Sequence, residues 1–415
     1  MTSIKSLLRL ALVAVGLLFV STAAEAACPV TSPAIHGGSG HACYAAAAGA
    51  WSSTSTWDGC TGGSGIGCTA CTCVPATGDD IVFDTNSPNG SYTSEAISLN
   101  SFDASAVTGA QAITISAASA ITITGLYANW GAVANITWSG PPNFTFTNTS
   151  GTAVTITDGG TQFGTWTFTG IGGNFVPQDA LLTTNASAPA VTCTSGTLDF
   201  SVHNINANIG QFIIASGCTF NGGTGTITET ALIGNVFNTS TSATVSASST
   251  GVTIANASAT GPRAFITGNK AWGAVNISGP ASGPSYSVYI GYTAAQTFAS
   301  LSIACPLSVG LSPNETLTLT TGTPAFSGVS SSTQCLFESA GINGVTIAGA
   351  QAVIAVSAAT NPAISWVNMY GIKFTFSGGA TTVNDTNALD FGTNSNVTFT
   401  APTYGSSGAT GKIFP

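Results

Sequence analysis

Hydrophobic and polar residues alternate in short runs along most of this chain. In Ile113-x-Ile115 and Ile121-x-Ile123 the residue between the isoleucines is Thr. An alternation with a period of two predicts a β-strand that buries one face and exposes the other. Thr suits such strands because its β-branched side chain packs well on a pleated surface. The alternation recurs at Ile136-x-Trp138, Phe144-x-Phe146, Val154-x-Ile156, Trp166-x-Phe168, Leu198-x-Phe200, Phe212-x-Ile214, Val252-x-Ile254, Val275-x-Ile277, Leu301-x-Ile303, Leu317-x-Leu319, Val345-x-Ile347, Ile364-x-Trp366, Ile372-x-Phe374, Leu389-x-Phe391 and Val397-x-Phe399.

This pattern predicts an all-β protein, since no window combines a helical period with capping residues. Many short strands form either β-sandwiches or a β-solenoid. An array of sandwiches would show a linker and a restart about every 100 residues, and the sequence shows neither. Quasi-repeats of a few tens of residues, with Gly and Asn at the turns, favour turns stacked in one dimension. We therefore predict a right-handed parallel β-helix, that is, a β-solenoid, with an array of β-sandwiches as the alternative.

An export signal precedes the strands. Lys5 and Arg9 are followed by the apolar residues 10–20, and residues 24–26 (Ala-Glu-Ala) suit a signal peptidase. The apolar run is shorter than the about 20 residues that span a bilayer; a retained membrane or lipid anchor is the alternative. No integral membrane segment is expected after cleavage. The predicted divisions are a signal peptide (1–26), an Ala-, Gly- and Pro-rich leader (27–50), a Cys-rich cap with the first coil (51–100), the solenoid (101–401) and a C-terminal tail (402–415).

Charged residues are scarce. They make up 5% of the chain, whereas hydrophobic residues make up 44%; about 25% charged residues is usual in globular proteins. Without Lys5, Arg9 and Glu25, four of the six basic and fourteen of the 15 acidic residues remain. Nucleic-acid binding needs clustered Lys and Arg, so we exclude nucleic acid as a partner. A neutral, hydroxyl-rich surface suits a β-protein that works outside the cell.

The ten cysteines support export. An even number of cysteines in an exported chain predicts disulfides. A zinc site is the alternative for four early cysteines, because Cys68 and Cys71 have ligand spacing. Zinc sites usually pair two such knuckles, and only one is present. Six cysteines allow 15 pairings, which we leave open for the early group: Cys28, Cys43, Cys60, Cys68, Cys71 and Cys73.

The late cysteines have spacings that match one turn of a solenoid. Cys193 and Cys218 are 25 residues apart, and Cys305 and Cys335 are 30 apart. Strands of adjacent turns lie about 4.8 Å apart, which is within disulfide reach. We therefore predict that each pair, Cys193–Cys218 and Cys305–Cys335, joins adjacent turns.

The stretch that opens the strand region has an ordered pattern. It resembles the opening of β-solenoid modules in bacterial surface adhesins and in phage tail fibre or structural proteins. Residues 390–399 are similar to the closing strand of such modules. The resemblance implies a solenoid architecture without identifying an activity; the extra cysteines and the Ala-rich run before it depart from the pattern. The residues concerned are Trp51, Trp57, Gly62-Gly63-Ser64-Gly65, Val74-Pro75, Asp79-Asp80-Ile81-Val82-Phe83-Asp84 and Asn86-Ser87.

The same opening stretch has a physical interpretation. The terminal turn of a solenoid exposes an apolar cross-section and strand edges that recruit other chains, so the end needs a cap. Trp51 and Trp57 are predicted to cover that end, with disulfides holding an insertion too small for a core of its own. A sugar-stacking role for these tryptophans is the alternative.

Few residues are candidates for chemistry. Asp79, Asp80 and Asp84 form the one dense acidic cluster, and we predict them as a possible calcium site at the edge of the first coil. Three carboxylates rarely complete a calcium shell of six to eight oxygens, so the alternative is that they are polar residues at turns and strand starts. No cofactor other than calcium is expected.

The remaining ionisable residues have structural interpretations. Asp385 and Asp390 are predicted as turn residues, and His203 as a residue of a strand. His36 and His41 are predicted to be exposed in a loop. The one close basic pair is Arg263 and Lys270, which has no acidic neighbour in the sequence.

Threonine pairs form another pattern. Residues i and i+2 of a strand share one face, so stacked Thr-x-Thr pairs would form a flat hydroxyl lattice. Such a lattice suits binding to ice or to a crystalline glycan, although Thr is also common on any exported sheet. The pairs are Thr122/Thr124, Thr145/Thr147, Thr155/Thr157, Thr165/Thr167, Thr226/Thr228 and Thr318/Thr320.

Together these features predict an exported structural or adhesion protein, a surface- or fibre-associated solenoid without catalytic activity. The expected partners are a cell-surface glycan or copies of the chain itself. The expected location is extracellular or at the cell surface, or in a virion if a phage encodes the chain. A polysaccharide-degrading lyase or hydrolase is the alternative, because some β-helix proteins have these activities.

Overall fold

The computed structural model describes residues 35–36, 40–58 and 74–400, apart from 110, 118–119, 133, 141–142, 161–162, 184–189, 232–233, 256–262, 279–286, 328–332 and 341–349. These residues form 35 β-strands and no helix. Apart from one antiparallel pair at the N-terminal end, paired strands run parallel, and they stack as a β-solenoid of about 11 turns. The predicted all-β solenoid is confirmed, and the chain does not form an array of β-sandwiches.

The strands follow one another closely along the chain. The first seventeen are β1 Ala42–Ala45, β2 Trp57–Asp58, β3 Asp80–Val82, β4 Gly90–Ser94, β5 Ile97–Leu99, β6 Ser101–Asp103, β7 Ile113–Ala117, β8 Ile121–Ile123, β9 Tyr127–Asn129, β10 Ile136–Ser139, β11 Phe144–Phe146, β12 Ala153–Thr157, β13 Trp166–Pro177, β14 Leu181–Leu182, β15 Ala190–Asp199, β16 Ala207–Ile209 and β17 Gln211–Asn221. The next nine are β18 Thr226–Glu229, β19 Gly234–Thr239, β20 Thr244–Ser246, β21 Gly251–Ala255, β22 Arg263–Ile266, β23 Trp272–Ser278, β24 Ser287–Gly291, β25 Gln296–Ala304 and β26 Ser308–Leu311. The last nine are β27 Thr316–Leu319, β28 Ala325–Ser327, β29 Cys335–Ser339, β30 Ala352–Ser357, β31 Ala363–Ser365, β32 Val367–Tyr370, β33 Ile372–Ser377, β34 Val383–Thr386 and β35 Val397–Thr400.

Four sheets form the walls of the coil. The largest has 19 strands, and its early part consists of two ladders. One ladder contains β3, β6, β9 and β12, and the other contains β5, β8 and β11. The long strands β13, β15 and β17 belong to both ladders. A ten-stranded sheet from β14 to β33 forms a second wall. Two three-stranded sheets complete the walls, one from β4, β7 and β10 and one from β31, β34 and β35. In each wall, a strand of one turn therefore pairs with a strand of the next turn.

Inward residues stack on the inward residues of the next turn. Ile121 pairs with Phe144, and Phe144 pairs with Trp166; all three are buried. These steps are 23 and 22 residues long, whereas Leu317 pairs with Ile354, 37 residues later. The length of a turn varies because the connections between strands differ in length, which explains why the sequence has no strict repeat.

The core changes in character along the coil. In the early turns it is aromatic, and the ring centroid of Trp130 lies 4.5 Å from that of Phe144 and 5.2 Å from that of Trp166. Such pairs contribute about 0.5–1.5 kcal/mol beyond their buried area. Many later turns stack aliphatic side chains, for example where Ile254 pairs with Ile277. Aromatic pairs also occur in the later turns, as between Phe265 and Phe298, but they are densest in the early ones.

The coil begins earlier than the predicted boundary. Strand β1 lies within the residues assigned to the leader, yet it pairs with β3 in parallel and with β2 in antiparallel. Trp51 and Trp57 are buried with ring centroids 5.9 Å apart, and Trp57 Nε1 donates a hydrogen bond to Trp51 O at 2.9 Å. They pack on Phe102 and Phe83 of the first turns. Both tryptophans are therefore part of the core of the first turns, and their role as a cap stays a prediction.

Two disulfides join adjacent turns. In Cys193–Cys218 the Cα atoms are 5.8 Å apart, and in Cys305–Cys335 they are 5.2 Å apart. Both predicted pairs are confirmed, and they indicate an oxidising environment. Cys43 is buried and disulfide-bonded. The other early cysteines, and with them the alternative zinc site, lie outside the described residues: Cys28, Cys60, Cys68, Cys71 and Cys73.

Candidate functional site

Asp80 lies at the start of β3 and is fully buried. Its Oδ1 accepts hydrogen bonds from Asn100 Nδ2 at 2.6 Å and Ser101 Oγ at 2.7 Å. Its Oδ2 accepts from the backbone N–H groups of Ile35 at 2.6 Å and His36 at 3.3 Å. Four protein donors therefore surround the carboxylate, and it fastens the segment before β1 to the second turn.

The other two carboxylates of the cluster also have protein partners. Asp79 Oδ1 accepts from the His41 N–H at 2.8 Å, and its Oδ2 accepts from the Ala76 N–H at 2.9 Å. Asp84 Oδ1 accepts from Ser87 Oγ at 3.2 Å. Within the described residues, no three His, Cys, Asp or Glu side chains lie together so as to hold a metal ion. The calcium site stays a prediction, whereas the geometry gives these carboxylates a role in turns and strand starts.

His36 contributes to the same fastening. Its Nε2 lies 2.9 Å from Asp103 Oδ2, and its ring stacks on Tyr127 with centroids 3.8 Å apart. Burial by itself would raise the pKa of Asp103, but hydrogen bonds with His36 and Ser105 outweigh it and lower that pKa below its usual value. The prediction of an exposed loop histidine is thus wrong for His36, which is half-buried; His41 is exposed as predicted, but it lies in a β-bridge and not in a loop. The sequence around His36 does not show this burial, because Tyr127 and Asp103, which contact its ring, come from other turns.

Two ionisable side chains of the later turns are buried, although the sequence patterns did not point to Glu229 and marked Arg263 only as one of a basic pair. Glu229 ends β18 and Arg263 begins β22, and both are buried. Glu229 Oε1 accepts from the Ala231 N–H, while Oε2 has no hydrogen-bond partner. Burial raises the pKa of Glu229 to about 8, although the Ala231 N–H and the charge of Arg263 oppose the rise. Arg263 Nη2 donates to Ser278 O at 2.9 Å, but its Nε and Nη1 lack partners.

Asp385 is the other unexpected acid. We predicted a turn residue, but Asp385 lies within β34 between Ile364 and Phe399 of the neighbouring strands, and it is fully buried. Within the described residues, neither carboxylate oxygen has a partner with normal hydrogen-bond geometry. Burial raises the pKa of Asp385 to about 7, opposed in part by the nearby N–H of Val367. The sequence does contain a signal for this burial: Asp385 lies two residues after the inward-facing Val383, so both side chains lie on the same face of β34.

The other candidates do not come together. Arg263 is in the core, whereas Lys270 is half-buried and its Nζ donates to Thr241 O at 2.9 Å. His203 lies in an exposed turn, so the prediction of a strand there is wrong. Asp390 Oδ1 accepts from the Gly392 N–H at 2.8 Å, which confirms its predicted turn role.

A cleft of about 320 Å³ opens beside the cap. Its one acidic lining residue is Glu95, which accepts hydrogen bonds from the N–H and the hydroxyl of Ser52. Glycoside hydrolysis usually requires a pair of carboxylates about 5–10 Å apart, and the cleft supplies one. The described lining residues therefore supply one of the two carboxylates that this chemistry uses. The cleft is lined by Trp51, Ser52, Val74, Pro75, Ala76, Thr77, Glu95, Ala96, Ile97 and Ser98.

The outer walls are rich in hydroxyl groups. Every predicted Thr-x-Thr pair is exposed or half-buried. In the ladder through β5, β8, β11, β13 and β15, outward hydroxyl residues pair directly with one another from turn to turn. These residues are Ser98, Thr122, Thr145, Thr167 and Thr192.

We find no match to this chain among protein families, curated proteins or solved structures. In the part of the chain that the structure describes, no helix has the length and apolar character needed to cross a membrane. Function therefore has to be inferred from the fold and from the chemistry of its walls.

Proposed function

We propose that this chain is an exported structural or adhesion component, a rigid rod associated with a surface or a fibre and without catalytic activity. The continuous parallel stack supports this function best. About 11 turns at about 4.8 Å per turn give a rod about 50 Å long. The cluster of Asp79, Asp80 and Asp84, which was the best candidate for chemistry, is engaged in fastening the first turns.

Two further properties support a location outside the cell. Disulfides between turns persist in oxidising compartments, and the described residues contain two of them, Cys193–Cys218 and Cys305–Cys335. A wall with few charges and many hydroxyl groups suits contact with a cell-surface glycan or with other copies of the chain. In a bacterium the rod would be secreted or held at the cell surface; if a phage encodes it, it would belong to the virion.

Localisation and binding test this proposal. The full chain, expressed in a bacterium with an oxidising periplasm, should leave the cytoplasm and lose residues 1–26, which mass spectrometry of the product would detect. Electron microscopy of the purified protein should show short rods, and it should bind a glycan array or self-associate in mass photometry. Retention in the cytoplasm with reduced cysteines would contradict export. A monomer that binds none of the glycans would contradict adhesion and assembly.

The enzymatic alternative needs its own measurement. The purified chain should release no reducing ends or unsaturated products from a panel of bacterial and plant polysaccharides. Product release that Asp84→Asn abolishes without a change in the unfolding midpoint would overturn the non-catalytic proposal. Asp84 suits this test because it is half-buried, whereas Asp80 is needed for folding contacts.

A further inference from the structure

One wall of the early turns presents a regular array of hydroxyl groups, which we call the Thr face. Its central column is the run of paired residues Ser98, Thr122, Thr145, Thr167 and Thr192. A second column lies two residues further along the chain and contains Thr124 and Thr147, which directly follow β8 and β11, and Thr169 of β13; at the next turn a register shift pairs Thr169 with Ser195. Each of these side chains is exposed or half-buried.

The Thr face contains a hydroxyl group that a hydrogen bond fixes in place and others that remain available. Thr124 Oγ1 donates to Leu99 O at 2.9 Å, which fixes its rotamer against the previous turn. In the central column, Thr122, Thr145, Thr167 and Thr192 form no side-chain hydrogen bond within the described residues. Beneath the face, buried rings such as Phe144 and Phe168 fill the core. A rigid support therefore carries hydroxyl groups that are free to bind.

The array has two fixed spacings. Adjacent turns lie about 4.8 Å apart, and residues i and i+2 lie about 6.6 Å apart along a strand. A flexible chain in solution does not offer partners on such a two-dimensional grid, whereas the surface of a crystal does. The regularity of the Thr face therefore points to a solid with a repeat of similar size.

The chemistry of the face selects between two kinds of solid. Proteins bind sugar rings by stacking them on aromatic side chains, and neither column contains an aromatic residue. No charged residue stands in the columns either, nor at the flanking positions Ala120, Asn143 and Thr165. Methyl and hydroxyl groups in alternation suit ordered water, because the hydroxyl groups join its hydrogen-bond network and the methyl groups lie in its gaps.

We propose that the Thr face binds ice. This activity goes beyond the proposed structural role and does not depend on it, since an ice-binding face would work on a free rod as well as on an attached one. The four turns from β8 to β15 supply the contact, and the Cys193–Cys218 disulfide fixes the last of these turns to the next.

Partitioning into ice tests the inference directly. The purified, disulfide-bonded protein is placed in a solution in which ice grows slowly on a cold probe, and its concentration in ice and liquid is measured. We expect enrichment in the ice and inhibition of ice recrystallisation at micromolar concentration. Thr145→Tyr and Thr167→Tyr should each reduce the enrichment at least tenfold, because a bulky ring separates the face from the lattice.

A matched control comes from another wall. Thr318 is a half-buried residue of β27 in the ten-stranded sheet, and Thr318→Tyr should leave enrichment unchanged. Circular dichroism melts of all variants show whether the fold is retained. Exclusion of the wild-type chain from ice would overturn the inference, as would equal loss in Thr145→Tyr and Thr318→Tyr. Binding to microcrystalline cellulose or chitin without enrichment in ice would assign the face to a glycan instead.

Discussion

Asp80 and Asp385 are two fully buried aspartates at opposite ends of one solenoid, and they lie in very different surroundings. Four donors surround Asp80, whereas the oxygens of Asp385 have no partner with normal geometry. A buried charge is tolerated when it is paired and hydrogen-bonded, and it is costly otherwise. The same residue type thus fastens the first turns and weakens the last ones at neutral pH.

The two parts of the coil also differ in how their cores are held. The early turns rely on stacked aromatic rings, such as Trp130 against Phe144 and Trp166. The Cys193–Cys218 and Cys305–Cys335 disulfides reinforce the middle and later turns, and there the buried Glu229 has only one of its two carboxylate oxygens hydrogen-bonded within the described residues. In a solenoid each turn contacts only its neighbours, so stability is roughly a sum of local terms. Substitutions should therefore act mainly on the part of the coil that contains them.

The largest effect is expected for Trp130→Ala in the aromatic part. Truncation of a buried Trp removes its contacts and leaves a cavity, which costs about 3–5 kcal/mol. Five of the seven tryptophans precede residue 170, so the fluorescence midpoint in urea reports this part. Ile277→Val, at a residue that stacks between Ile254 and Ile303 in the later turns, should cost about 1 kcal/mol and leave that midpoint nearly unchanged. Equal shifts for both variants would show that the coil unfolds as one unit.

Removal of the Cys193–Cys218 disulfide should have the next largest effect. The bridge closes a loop of 25 residues, for which the chain-entropy estimate is about 3.5 kcal/mol. The double substitution Cys193→Ala with Cys218→Ala should increase hydrogen exchange in β15 and β17, as measured by mass spectrometry. Exchange in β30 and β33 is the internal control, because these strands lie several turns away. Uniform protection throughout would contradict a local role for the bridge.

Asp80→Asn should cost about 3 kcal/mol. The side-chain amide of Asn has an NH2 group where one carboxylate oxygen of Asp80 accepts hydrogen bonds, so the bonds to that oxygen are lost. Hydrogen bonds to a charged group are worth about 1.5–3 kcal/mol each. Asp84→Asn is the control; Asp84 is half-buried, and its loss should cost less than about 1 kcal/mol. Millimolar calcium should leave the midpoint of the wild-type chain unchanged. A rise in that midpoint that Asp80→Asn removes would establish the calcium site instead.

Much of the architecture could be predicted from local patterns. Period-two alternation identified strands because burial on one face of a strand is a local property. The spacing of Cys193 and Cys218 identified adjacent turns because 25 residues lies within the range of turn lengths, from 22 to 37 residues in the turns compared above. Strand β1 was missed because its residues, Ala-Cys-Tyr-Ala, alternate weakly; its strand conformation is stabilised by pairing with β2 and β3.

The buried acids were harder to predict, for a different reason. Asp80 obtains its donors from residues 35–36 and 100–101, and no sequence spacing shows that these meet. The polar side chains of Asp385 and Glu229 favour an outward position. Each residue, however, lies two positions after an inward-facing residue, Val383 or Ile227, and this even spacing (the parity of the position) favours an inward one. Parity was correct in both cases. In a solenoid strand, parity is therefore the better guide.

Asp385→Asn should have the smallest effect, and its sign should be opposite to that of Asp80→Asn. Burial raises the pKa of Asp385 from 3.8 to about 7, so between these values the folded state holds a proton that the unfolded state releases. Stability therefore falls as the pH rises from about 4 to about 7, and the loss is complete above 7. Asn cannot ionise and escapes this loss.

Urea unfolding at several pH values can measure this difference. At pH 4 the two proteins should be about equally stable, and at pH 8 the variant should be more stable by about 2 kcal/mol. The full pKa difference of Asp385, at about 1.4 kcal/mol per pKa unit, would give a larger gain. We expect the smaller value because the surroundings relax around the charge. Hydrogen exchange should place the gain in β31, β34 and β35. A loss of stability at pH 8 would mean that the Asp385 carboxylate finds a partner in solution, and the contrast between the two ends would then disappear.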